Sequence, residues 1–486
     1  MEEQVADKEA GLVTQAKGYL ISLEGLPSAR VNDIVINAHG QRALVTALAE
    51  SGVEALLLDP GSPGSGERFV AHPEGIQLYL GEALFGRAMN VLGEPVDGRE
   101  AFPPATEPLT LESDAPDMSA RSLMIEQLTL GMTMVDLLLP IAKGQRQLVL
   151  GPNASGKDVF LESVTAAQRD TGVVCVYALI GRPAAYIENV MARLYRKDGN
   201  PNTITVVARS DDPAPFVSIA PAVALQVAES FSKKGKDVLL VLDDLAIHAK
   251  YFREIALLSG RVPGRESYPG DTFYAQAHLL ERAGFFNKAH GGGSLTLLPV
   301  LETNIEEMTN LISTNLMSAT DGHLFFSPVA HAEGYFPAID PQQSVTRVGR
   351  QTQSTLAKQL SIRVFGLLAD YEREKRYSQF GAQLSLEAQD VLARGEVATV
   401  LLRQEPATAV SQEEQVILLS LVFTPFFDKK SIDFVKRNHA ALKAAVSKDP
   451  LLQPLVESAR KGTSTLDQFL KKLNASLAPF TAVCRP

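Results

Sequence analysis

Apolar residues along this sequence shift their spacing twice. From about residue 12 to residue 85 they come in short runs: KGYLISLEGLP, DIVINAHG, RALVTALAESGVEALLLDPG and GIQLYLG. The turn-rich stretch PGSPGSGE falls among them. Short apolar runs punctuated by Gly and Pro predict β-strands joined by tight turns, so residues 1–85 are expected to form a small β-barrel. The first change comes at LFGRAMNVLGEPVDG, Leu84 to Gly98, followed by a Pro-rich connection through Pro108 and Pro116. Beyond it the apolar runs QLVL, VVCVYALI, TITVVARS, DVLLVLDD and SLTLLPV alternate with helical stretches. That alternation predicts a parallel sheet with helices on its faces, an α/β domain over 86–365. From about residue 351 the apolar positions recur at helical spacing, as in TLAKQLSIRVFGLLADYEREKRYSQF, and continue so to the end. An α-helical domain over 366–486 is expected there.

The chain has 486 residues, enough for two to four domains, with 45% hydrophobic and 21% charged residues. Its net charge of −10 gives no sign of a nucleic-acid surface. Two cysteines, Cys175 and Cys484, make no disulfide framework and point to a reducing compartment. Cys175 lies in an apolar run and reads as core packing. The opening MEEQVADKEAG is acidic and polar, unlike a secretory signal or an Arg-rich transit peptide. The most apolar stretch, Val416 to Phe427, is too short to cross a bilayer and contains a proline. Membrane association is therefore expected only through partners.

The chemistry centres on GPNASGKD: Gly151, Pro152, Asn153, Ala154, Ser155, Gly156, Lys157 and Asp158. A phosphate-binding loop reads G-x-x-x-x-G-K-[ST]; its N–H groups cradle phosphate oxygens and its closing hydroxyl helps hold Mg²⁺. Here Asp158 replaces the hydroxyl. A carboxylate can ligate magnesium, but it also repels phosphate. The strand-like GQRQLVL before the loop and the helix-like VFLESVTAAQ after it place phosphates at a helix N-terminus. DVLLVLDDL carries Asp243 and Asp244 at the C-terminal end of a predicted buried strand, where ligands of open parallel sheets bind. Asp243 reads as the magnesium-side acid; the plainer alternative is a strand-terminal turn with two solvated aspartates. VVCVYALI leads into Arg182, where a hydrolytic ATPase of this architecture would carry a water-activating carboxylate. Arginine is not deprotonated in proteins, so no general base stands there, whether Arg182 has a role or is a surface residue.

With these residues in view, the chain resembles the alpha subunit of the rotary F-type ATP synthase over almost its whole length. The resemblance is carried by GRAMNVLGEPVDG, the phosphate loop, ARSDDPAP, LLVLDDL, GRVPGRESYPGDTFYAQAHLLERAG, GGGSLTLLPVLET, TNLMSATDGHLFF, PAIDPQQSVTRVGRQTQ and SQFGAQLSLEAQDVLARG. PGRESYPGDTFY and SVTRVG separate alpha-like from beta-like chains. The resemblance implies an N-terminal β-barrel, a central RecA-like α/β domain with a P-loop, and a C-terminal helical domain. It implies ATP or ADP with Mg²⁺ as ligand. It also implies a hexamer in which alpha alternates with catalytic beta subunits around a central-stalk gamma subunit, with a peripheral-stalk delta subunit as a further partner. The setting implied is peripheral, on the cytoplasmic face of the bacterial plasma membrane.

By the same resemblance Arg347, in SVTRVG, is the arginine finger of the neighbouring beta subunit's catalytic site. Ser344 and Ser318 match residues that support that shared site. Without the resemblance, Arg347 would read as a surface ion pair and Ser318 as a turn or cap residue. Gln404 matches a residue near the adenine, but Glu405 and Pro406 stand where the family has Gly and Gln. Asp158 and the loop PNAS are further departures, and these three fall on the chain's own nucleotide pocket; Arg182, where the family usually has Gln, is another departure. The barrel-like sequence begins near Leu12, without the usual stalk-docking helix. The leading expectation is a non-catalytic alpha subunit that lends Arg347 to its neighbour while its own site binds Mg-nucleotide weakly or not at all. The competing expectations are a structural or assembly protein on the same ring scaffold, a divergent rotary ATPase, and a self-sufficient hexameric motor, which would need a carboxylate where Arg182 stands.

Overall fold

The computed structural model describes residues 9–50, 52–72, 74–105, 107–197, 199–262, 264–304, 308–379 and 385–484, with backbone alone for Arg265 and Gln379. The N-terminal residues 1–8, and residues 380–384 within the stretch SQFGAQLSLEAQDVLARG, lie outside them. The protein forms two compact units, each drawn from two stretches: 1–122 with 168–320, and 123–167 with 321–486.

The first unit opens with six strands, Ala10–Lys17, Leu20–Gly25, Ile34–Asn37, Arg42–Ala49, Gly52–Leu57 and Arg68–Ala71, closed into a barrel. All six pairings are antiparallel. Alternate side chains point inward, so Ile21, Leu23, Val35, Val45, Ala55, Leu57 and Phe69 fill the barrel. Gly25 has φ 106°, and a Cβ there would lie 2.6 Å from the carbonyl oxygen of Ala10. The barrel expected from the short apolar runs is therefore present.

The same unit holds a parallel sheet. Val174–Arg182 runs between Thr203–Arg209 and Asp237–Asp243, and Asp237–Asp243 pairs on its other side with Ser294–Glu302. Arg87–Asn90 adds a parallel edge beside Thr203–Arg209. These strands are buried on both faces, which explains their unbroken apolar runs. The helix Ala214–Ser232 is long and apolar enough to cross a membrane, but 89% of its most apolar 18-residue window is buried inside the protein, as in a core helix. The register aligns Leu179 with Asp243 and Leu242 with Pro299. Arg182, Asp243, Asp244 and Glu302 consequently share the C-terminal edge of three adjacent strands.

In the second unit, Gln147–Gly151 pairs in parallel with Gly322–Phe325, which pairs antiparallel with Val345–Thr346. The helix Lys157–Ala167 follows the phosphate loop. Among the described residues after 354, seven α-helices run from Thr355–Gln379 to Ala478–Val483. In Thr355–Gln379 the buried positions Leu356, Leu360, Val364 and Leu368 recur every four residues, so one stripe faces the core. Phe426, Phe469 and Phe480 are buried in the same helical layer. The C-terminal region is helical, as its spacing predicts.

Candidate functional site

The phosphate loop is shaped by two glycines. Gly151 has φ 157°, and a Cβ there would lie 2.7 Å from the carbonyl oxygen of Phe326. Gly156 has φ 82°, and its Cβ would lie 2.8 Å from Nδ1 of His331. No other residue type suits either position. Within the loop, Asn153 Oδ1 accepts from the Ala154 N–H at 2.7 Å, and Ser155 Oγ donates to the Pro152 carbonyl at 2.7 Å. Lys157 is buried, and its Nζ donates to the carbonyls of Gly151 (2.8 Å) and Pro152 (2.5 Å) and contacts Ser155 Oγ at 3.3 Å. Those contacts match the three donors of an ammonium, so the lysine is satisfied by its own loop. Asp158 stands in the first turn of the helix, where the helix dipole favours a carboxylate as it would favour phosphate.

Gln404 is held by four hydrogen bonds. Its Oε1 accepts from the Thr133 N–H at 2.6 Å. Its Nε2 donates to the carbonyls of Gly131 (2.9 Å) and Thr408 (3.0 Å), and its N–H donates to the Phe336 carbonyl at 2.8 Å. The Ala407 N–H also donates to Ser163 Oγ on the helix after the phosphate loop. The amide of Gln404 thus closes its own loop, while Glu405 and Pro406 are exposed. A cavity of about 470 Å³ in this unit is lined by Tyr335, Phe336, Tyr371 and Arg403 among others, and none of its lining residues belongs to 151–158.

Arg347 is exposed and directly follows the strand Val345–Thr346. Its N–H donates to the Asp321 carbonyl at 3.0 Å. Asp321 is itself clamped by Arg146, through Nη2 at 2.8 Å, Nε at 3.1 Å and the backbone N–H at 2.9 Å. Gln147 Nε2 donates to the Val345 carbonyl at 3.0 Å, and Thr346 Oγ1 donates to the Pro140 carbonyl at 2.8 Å. Ser344 is buried; its Oγ donates to the Asp340 carbonyl at 2.6 Å and accepts from the Phe325 N–H at 3.0 Å. Ser344 therefore fastens the segment that carries Arg347. Burial lowers the pKa of His323, and the nearby Arg347 charge adds to that.

In the first unit, Ser318 is exposed on the helix Leu311–Ala319, with Oγ donating to the Thr314 carbonyl at 2.8 Å. Asp243 is fully buried at the end of its strand. Arg182 Nη2 donates to one of its carboxylate oxygens, and Tyr186 Oη donates to the other at 2.9 Å. Arg182 also reaches Glu302 Oε2 at 3.3 Å and lies 3.9 Å from Asp244 Oδ2. Its guanidinium stacks on Tyr186 at 4.8 Å. Burial alone would lower the arginine's pKa, but Asp243 and Asp244 hold it above its ordinary value. Burial raises the Asp244 carboxyl, against Arg182 and the N–H groups of Ile247 and Glu302.

Two family models match the protein. One describes the nucleotide-binding domain of the ATP synthase alpha/beta family, over residues 131–346. The other describes the C-terminal domain of the ATP synthase alpha/beta chain, over residues 353–480. A protein named ATP synthase subunit alpha 1 from Pseudoalteromonas atlantica is 32% identical over 478 residues, covering 97% of this chain and 90% of its own. One named ATP synthase subunit alpha 2 from Syntrophotalea carbinolica is 35% identical over 449 residues, covering 92% and 85%. This chain belongs to the ATP synthase alpha/beta family. Membership of a family with a nucleotide-binding domain explains the phosphate loop and its strand–loop–helix setting.

Within this member of the family, sequence reasoning missed three things. Arg182 reads as a lone arginine, yet it pairs with acids 61 and 120 positions further on. Tyr186 lies one helical turn beyond Arg182, a weak signal at best. The fastening of the Arg347 strand by Asp321, Arg146 and Gln147 depends on residues up to about 200 positions apart and has no local signature.

Proposed function

We propose that this chain is the non-catalytic alpha subunit of an F-type ATP synthase catalytic head. It alternates with catalytic beta subunits in a hexamer around the gamma subunit, with delta as a further contact. The head works in ATP synthesis or hydrolysis coupled to transmembrane ion transport, proton transport in the first instance. The subunit is peripheral, on the cytoplasmic face of a bacterial plasma membrane, and meets the membrane only through its partners. The division into a barrel over 1–85, a RecA-like domain over 86–365 and a helical domain over 366–486 belongs to the same reading.

One observation carries the reading: an exposed arginine directly follows a firmly fastened strand, while Asp243, the acid expected on the magnesium side, is tied up by Arg182 and Tyr186. In γ-phosphoryl transfer, negative charge spreads over equatorial oxygens, and a planar, permanent cation stabilises it. Such a finger is worth roughly 10³–10⁵ in rate, on the order of 4–7 kcal/mol of barrier. Arg347 supplies it to the neighbouring beta site. Ser344 acts by holding the strand, and Ser318 supports the same shared site. Residues 151–158 and Gln404 form the chain's own pocket for ATP or ADP. With Lys157 satisfied by loop carbonyls and Asp158 in place of a hydroxyl, that pocket binds Mg-nucleotide weakly or not at all.

Two measurements test this. Co-expression with a beta subunit, followed by ATP turnover with Arg347 intact and with Arg347→Lys, should show a loss of about a hundredfold or more. Equilibrium binding to the isolated subunit should find no micromolar Mg-ATP site; such a site, abolished by Lys157→Ala, would refute the weak-pocket part. The degraded pocket also favours a second reading, a structural or assembly protein on the same ring scaffold. In that case the ring would assemble but Arg347→Lys would leave turnover unchanged.

A further inference from the structure

Asp243 is the residue that should help hold Mg²⁺, and its surroundings do not suit that ion. A divalent cation needs carboxylate oxygens free to turn toward it, and Mg²⁺ in particular demands near-ideal octahedral geometry. Both Asp243 oxygens already accept hydrogen bonds, one from Arg182 and one from Tyr186. Both Asp244 oxygens accept backbone N–H groups, from Ile247 and Glu302 at 2.8 Å each. Glu302, the third acid at this edge, faces Arg182 Nη1 at 3.3 Å. A permanent positive charge thus sits against all three carboxylates. Among the described residues no group of three His, Cys, Asp or Glu side chains is arranged to hold a metal.

We propose that Arg182 is a resident counter-cation: it takes the place of the divalent ion at this strand edge and keeps Mg²⁺ out. The three carboxylates share one permanent positive charge, on a group that cannot leave, cannot be chelated and cannot lose its proton. The pairing is also nearly water-free, with Arg182 only 8% and Asp243 0% exposed, so its charges are little screened. Stacking on Tyr186 fixes the plane of the guanidinium. A chelator consequently has no divalent ion to remove from this strand edge. Glutamine at 182 would remove the charge and leave Asp243, Asp244 and Glu302 as an acidic strand edge open to a divalent ion.

This rests on the reading above only in taking Asp243 as an acid of a nucleotide-binding strand edge. The test uses Mn²⁺ as probe, by electron paramagnetic resonance on the full-length protein, with no beta subunit and no turnover. Its failure would therefore leave the Arg347 reading standing. Glu302→Gln, on the one partly exposed acid, should change Mn²⁺ binding of the otherwise unaltered protein by less than about twofold. Arg182→Gln should add about one Mn²⁺ per protomer, and Arg182→Gln with Asp243→Asn should lose it again. A loss of about tenfold or more in Mn²⁺ affinity on Glu302→Gln alone would overturn the proposal. So would a folded Arg182→Gln protein that gains no site. Removing one partner of a buried ion pair threatens folding. If Arg182→Gln does not fold, the Glu302→Gln arm still decides, because it leaves the Arg182–Asp243 pair in place.

Discussion

Ser344 shows how one small hydroxyl matters to an arginine three residues away. It joins the Asp340 carbonyl to the Phe325 N–H, so the segment leading into Arg347 is fixed to a buried strand. Ser344→Ala leaves both groups unpaired, at about 1–3 kcal/mol of stability. If Arg347 acts only in the transition state, the displacement should appear in kcat rather than KM. We expect kcat of a reconstituted ring to fall roughly tenfold, given that misplacement by 1 Å can cost about a hundredfold. Steady-state kinetics at saturating ATP would show it; an unchanged kcat would mean that the hydroxyl serves folding alone. Asp136 is a second informative residue. It is buried, with Oδ1 accepting from the Leu130 N–H and Oδ2 from Gln415 Nε2, and burial pushes its pKa up to about 6. The folded protein therefore holds that proton more tightly than the unfolded one does. Its contribution to stability is complete below about pH 4 and disappears as pH rises through about 6. Relative to Asp136→Asn, the unaltered protein should lose roughly 2–3 kcal/mol between pH 4 and pH 7, measurable by denaturant titration at both pH values.

At the scale of elements, Asp244 serves a strand and a helix together. It caps the helix Leu245–Leu258 through the Ile247 N–H and ties that helix to the neighbouring strand through the Glu302 N–H. Asp244→Ala removes a cap worth about 1 kcal/mol and leaves a buried N–H unpaired at about 1–3 kcal/mol. A loss of about 2–4 kcal/mol in chemical denaturation is expected. His248 on that helix has its pKa pushed down to about 4 by burial, so its contribution is present above about pH 6.5 and is lost as pH falls toward 4. The elements themselves were legible where a local pattern carries them. The barrel strands follow from short apolar runs broken by Gly- and Pro-rich turns, the sheet strands from unbroken apolar runs, and the helix Thr355–Gln379 from Leu356, Leu360, Val364 and Leu368. The strand–loop–helix around Gly151 was equally plain, because glycine and lysine spacing is set by local backbone geometry. What stayed hidden depends on register between distant strands. Nothing near Arg182 announces Asp243 and Glu302, and nothing near Gln404 announces that its amide is spent on Thr133, Gly131 and Thr408.

At the scale of the molecule, the placing of charge supports a division of labour. The fixed cation Arg182 is paired with acids inside the first unit. Arg347, in the second unit, is exposed just after a strand that several side chains fasten. On the reading proposed above, the subunit should not turn over ATP by itself, because Arg182 cannot act as a general base. Mixed with a beta subunit, it should assemble into a ring whose mass matches an alternating hexamer, and Arg347→Ala should leave that mass unchanged. Assembly without turnover in that variant would separate the role of Arg347 from ring formation. The most direct measurement is therefore single-turnover ATP hydrolysis in the reconstituted ring, comparing intact Arg347 with Arg347→Ala at equal nucleotide occupancy. A fall of roughly 10³-fold or more is expected. Equal rates in the two rings would contradict the claim that this subunit donates its arginine to a neighbour's reaction.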